Sequence, residues 1–149
     1  MSYPPATTRE QHRPMSDLPR CAFEKPILSA QCHCPLAART ALGEALRVRC
    51  QSESASNRCF VLRNLLRDKA RFALKVTDTR GKMPFGKELR VMIGGLAGLA
   101  AVLEVPDGSR DIDALIRLAQ ERFGSLEALP FEQVVRQIAA TPPRRRRES

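Results

Sequence analysis

Apolar side chains gather in periodic tracts separated by polar, proline-rich and glycine-rich stretches. Leu62, Leu65, Leu66, Ala70, Ala73 and Leu74 recur at three- and four-residue steps, which predicts an amphipathic helix from about Arg58 to Lys75. Ser56 or Asn57 is positioned to cap it, because a short polar side chain accepts a free first-turn amide. Ile112, Leu115, Ile116, Ala119 and Phe123 predict a second helix from Asp111 to Phe123, with Gly124 at its stop. Phe131, Val134, Val135 and Ile138 predict a third, entered through Pro130. These last two are expected to form a helical hairpin, spanning residues 104–141, that packs onto the rest.

Other tracts are weaker. Residues 36–46, LAARTALGEAL, suit a helix interrupted by Gly43. Residues 89–93, LRVMI, are apolar and partly β-branched and predict a short strand. GGLAGL then predicts a turn leading into a helical AAVLE. The expected fold is mainly α with a small β element (α+β), in which a cysteine-ligated loop region precedes amphipathic helices. Residues 1–19 hold Pro4, Pro5, Pro14 and Pro19 among polar residues and read as a disordered arm. The tail 142–149, PPRRRRES, reads the same way. Between them, residues 20–103 form the expected metal-binding domain.

Composition adds one strong feature. The chain has 149 residues and five cysteines, Cys21, Cys32, Cys34, Cys50 and Cys59, and none follows Cys59. The first twenty residues lack the apolar core of a secretory signal, and no apolar run reaches the roughly 18 residues of a membrane span. The expected setting is therefore soluble and cytoplasmic, with no membrane partner. An odd number of thiols there argues against a disulfide framework and for a metal or cluster.

The spacing is C-x10-C-x-C-x15-C-x8-C. Structural zinc sites usually show paired ligands two to four residues apart, and no C-x-x-C occurs here. Iron–sulfur clusters accept wider spacing, since each thiolate addresses a different iron, and the Cys34-Pro35 step matches the pairing that closes the bacterial ferredoxin run. Cys59, at the expected start of the first helix and beside Arg58, sits where free amides favour a thiolate. The expected ligands are Cys34, Cys50 and Cys59, plus Cys21 or Cys32, holding a [4Fe–4S] cluster, with zinc as the alternative. His33 between two cysteines is expected to point away as a loop residue. The opposing view is that these are ordinary buried thiols.

Charge sharpens this without deciding it. The net charge is +9: residues 1–59 carry +3, residues 60–103 +6, residues 104–143 −3 and the tail 144–149 +3. Arg63, Arg67, Arg71 and Lys75 recur at four-residue steps and are expected to line one helix face. That face could dock an acidic redox partner or, with the C-terminal Arg tail, a nucleic acid. The Gly94–Gly98 stretch resembles a phosphate-cradling turn but lacks a P-loop lysine, and tight packing explains it better. The only histidines are His12 and His33, and no nucleophile elbow, HExxH or spaced carboxylate pair appears, so no catalytic set is expected. The expected function is a small cluster-binding protein in electron transfer, redox accessory work or sensing. The alternatives are a zinc-stabilised nucleic-acid-binding or regulatory protein, and a metal-free interaction module with reactive thiols.

Overall fold

Ser52 starts the long central helix, more than a turn before the position that periodicity alone selects. In the computed structural model, which describes residues 17–43, 45–71, 85–105 and 110–141, Ser52 Oγ accepts the Ala55 amide at 3.2 Å. The chain runs through α1 (Glu24–Leu28), β1 (Ala37–Leu42), β2 (Ala45–Cys50), α2 (Glu53–Ala70), α3 (Phe85–Val102) and α4 (Ile112–Phe123). A short 3-10 turn (Leu126–Ala128) and α5 (Phe131–Ala140) follow. The mainly helical fold with one small antiparallel sheet is as expected. Most of the expected arm 1–19, the tail 142–149, His12 and Lys75 lie outside the described residues.

Two elements differ from expectation. Residues 36–46 do not form a helix: β1 and β2 pair antiparallel from Ala37↔Cys50 to Leu42↔Ala45. Gly43 sits at the reversal with φ +64, a conformation that costs a side chain steric strain and that glycine adopts freely. Alanine and leucine favour helices in isolation, but here Val48 and Cys50, two apart, both bury from β2. The second difference is LRVMI and the following GGLAGL, which are neither strand nor turn. Both lie inside α3, whose amides are used within the helix, so the phosphate-cradle geometry is absent there.

The glycines of α3 have a packing role. A Cβ on Gly94 would stand 2.8 Å from Ile138 Cα, and one on Gly98 would stand 3.0 Å from Val134 Cα. The backbone of α5 therefore lies directly on these glycines, and α3–α5 is the most extensive helix contact. Gly95 does the same for Leu66 of α2, with its Cδ1 only 2.6 Å from a notional Cβ. Helix α4 falls where expected, with Asp111 as its cap, whose side chain accepts the Ala114 amide at 3.0 Å, and it ends at Gly124 with φ +87. Both α4 and α5 pack on α2 and α3, with α5 lying mainly against α3. One core results, with Phe23 and Ile27 of the α1 region, Leu62 and Leu66 of α2, and Met92 and Leu96 of α3 nearly inaccessible to water.

Gly94→Ala is expected to lower stability by about 1–3 kcal/mol, since the α5 backbone must move to admit the methyl. Gly86→Ala, where nothing lies within 4 Å, is expected to raise it by up to about 1 kcal/mol through helix propensity. Urea unfolding midpoints of the two variants measure both changes.

Candidate metal centre

Main-chain hydrogen bonds draw the cysteines together from four separate segments. The segment before α1 runs along β2: Cys50 N donates to Pro19 O at 2.8 Å, Cys21 N donates to Val48 O at 3.3 Å, and Arg20 bridges Arg49 antiparallel. The buried Ser56 hydroxyl donates to Arg20 O at 2.9 Å, which ties this segment to α2. Cys34 lies in the loop before β1. Its neighbour His33 forms a parallel bridge with Asp111, through His33 N to Arg110 O at 3.1 Å and Ile112 N to His33 O at 2.9 Å. Cys50 ends β2, and its thiol donates to Ser52 O at 3.1 Å. Cys59 stands on the inner stripe of α2 with Leu62 and Leu66.

Cys21, Cys34, Cys50 and Cys59 line one small enclosed cavity, walled otherwise by alanines, Ser56, Ile112 and Asp113. Cys32 does not line it. That thiol turns into the hydrophobic core, while His33 is exposed as expected. Of the two cysteines between which the sequence leaves the choice open, Cys21 is the one that lines this cavity. Cys59 is not at the helix start, because Ser52 moves the start to Glu53 and leaves Cys59 in the second turn. The helix-terminus argument for its thiolate does not apply, since that effect fades within the first turn.

Electrostatics couple the thiols to one another. Burial pushes the Cys21 thiol up to about 12, with the Phe23 amide opposing and Cys34, Cys50 and Cys32 adding to the rise. Burial raises Cys59 further, reinforced by Cys21, Cys34, Cys50 and Asp113. Cys34 is also raised by burial, but the Leu36 and Asp113 amides donate toward it and hold it down. Cys32 is pushed up to about 12 by burial and by Cys34 alone among the thiols. Each cavity thiol disfavours ionisation of the others, so a shared cation is what would let them ionise together.

Asp113 is the residue at this cavity that periodicity does not reveal. Its carboxylate is buried and held by Arg58 at 3.4 Å and by Arg117 at 2.8 Å. With that carboxylate answered by two guanidinium groups, the donors left facing the cavity are sulfur. Among the described residues, no group of three or more His, Cys, Asp or Glu is arranged to hold a metal ion as it stands. The expected cationic row on α2 is not a single free face. Arg67 is paired with Glu88 at 3.6 Å, Arg63 is half-buried over the Phe60 ring at 4.8 Å, and Arg71 closes the helix. No helix among the described residues is long and apolar enough to cross a membrane. No protein-family model, curated protein or solved structure matches the chain.

The raised thiols fix a pH dependence for the metal-free protein. A thiol that resists ionisation when folded contributes stability at pH below its unfolded value of about 9.0 and loses it as pH climbs toward about 12. The unfolding free energy from urea titrations is expected to fall from pH 8.5 to 10.5, by on the order of 1 kcal/mol per pH unit for each such thiol. Cys21→Ser is expected to show a shallower fall over the same range.

Proposed function

We propose that the chain binds a [4Fe–4S] cluster through Cys21, Cys34, Cys50 and Cys59 and acts in electron transfer or redox sensing. The observation that carries this reading is the convergence of four thiols, from four separate segments, on one cavity that the fifth thiol does not enter. A single zinc ion draws four sulfurs to about 2.3 Å from one point. A cubane presents four separate iron corners, so its ligands stand further apart. Four cysteines contributed singly by four separate segments, with no C-x-x-C pair among them, suit the larger body better.

When bound, the cluster supplies a one-electron couple. The chain supplies the four thiolates, apolar walls that keep water from them, and amides of Phe23, Leu36 and Asp113 that stabilise sulfur carrying negative charge. Arg58 and Arg117 keep the Asp113 carboxylate from adding its full charge to theirs. The proposed partner is an acidic redox protein. Support for it lies in the net charge of +9 and in Arg39, Arg47 and Arg49 on the hairpin that ends in Cys50.

Anaerobically reconstituted protein is expected to contain about four iron and four sulfide per chain and to absorb broadly in the visible. Single Cys21→Ser, Cys34→Ser, Cys50→Ser and Cys59→Ser variants are expected to lose most of that content, and Cys32→Ser to keep it. A colourless protein with one zinc per chain and no sulfide would overturn the reading, as would loss of the cluster in Cys32→Ser alone.

A further inference from the structure

We infer that the chain carries a binding site for a single phosphoryl group, in a cavity of about 250 Å³ between the α1 region and the faces of α2 and α3. The site does not rest on the cluster reading. Arg20, Lys25 and Arg63 line it, together with Phe60, Met92 and two carboxylates, Glu24 and Glu88.

Charge accounting within the cavity leaves a definite surplus. Glu88 is bound by Lys25 and lies 3.6 Å from Arg67, which approaches it from outside the cavity. Glu24 accepts the Val48 amide at 2.8 Å and stands 4.0 Å from Arg47. Both carboxylates are thereby engaged, while Arg20 and Arg63 have no ion-pair partner among the described residues. Arg63 is the more constrained of the two. Among the described residues its Nε is buried with no hydrogen-bond partner, and its Nη2 reaches Asn64 Oδ1 at 3.4 Å. Burial and the neighbouring positive charges of Arg67 and Arg20 make its protonated form less comfortable than in water, a cost that Glu88 offsets only in part.

Two unmatched guanidinium groups beside a small cavity call for a compact anion of matching charge. A phosphate carries about −1.5 to −2 at neutral pH and offers three acceptor oxygens to planar N–H forks. A carboxylate would neutralise only one arginine. The volume admits a phosphate or a small phosphorylated molecule and is too small for a nucleic-acid segment. Lys25 adds a further donor at the wall once the anion draws it partly from Glu88. Cys21 lines this cavity as well as the thiol cavity, so a bound anion sits directly behind one of the four thiols.

Calorimetric titration of the full chain with inorganic phosphate tests the site. The expected result is saturable binding of one phosphate per chain, weakened at least tenfold by Arg20→Gln and by Arg63→Gln. Arg20 is exposed, so its replacement leaves the core untouched and keeps the test valid if Arg63→Gln unfolds. Arg136→Gln, on the outer face of α5, and replacement of the four tail arginines Arg144–Arg147 by glutamine are expected to change nothing. Absence of saturable phosphate binding would overturn the inference. So would binding that survives Arg20→Gln at full strength, that disappears with the tail arginines, or that appears only with an oligonucleotide in place of phosphate. Iron and sulfide analysis of the same preparation decides the cluster reading separately.

Discussion

Thiols packed against one another in an apolar pocket repel as soon as they ionise, and this constraint governs the N-terminal half of the molecule. Cys21, Cys34, Cys50 and Cys59 each raise, or are raised by, their neighbours. Among the described residues, amides of Phe23, Leu36 and Asp113 offset part of that cost. The surrounding scaffold is accordingly built of main-chain bonds, which do not depend on the thiols' charge. The segment at Pro19–Cys21 is bonded to β2, and His33 to the start of α4. Even the buried carboxylate at the pocket is held by two arginines rather than left to the sulfurs.

How much of this the sequence discloses depends on whether local preference and tertiary packing agree. At α4 and α5 they do: the Asp111 cap, the Gly124 stop and the apolar stripes all lie within the helices themselves. In α3 they conflict. Val91 and Ile93 favour a strand and Gly94, Gly95 and Gly98 favour a turn, yet the helix forms because those glycines let α5 and Leu66 come into contact with it. In β1 the conflict runs the other way, with helix-forming alanines drawn into a ladder beside β2. At the thiol pocket, spacing indicates a cluster of cysteines but does not separate Cys21 from Cys32, because only the fold turns one toward the cavity and the other into the core. Asp113 is silent in the sequence for the same reason: an acidic residue in a first helical turn is common on any surface.

The positive charge of the chain is likewise spent in more ways than its sum suggests. A row of arginines at four-residue steps resembles a solvated stripe, but on α2 the fold distributes it: Arg67 goes to Glu88, Arg63 to the Phe60 ring and the neighbouring cavity. Partly buried arginines of this kind keep their charge, since the guanidinium does not deprotonate in proteins. They therefore impose a requirement on whatever stands beside them, where exposed ones impose only a field.

The parallel bridge between His33 and Asp111 joins two stretches far apart in sequence, one leading to Cys34 and the other beginning α4. Asp111 caps that helix, and Asp113, two residues on, both walls the thiol pocket and offers its amide to Cys34. The loop and the helix start are thus tied by main-chain bonds, and the place of Cys34 is set by the same turn that begins α4.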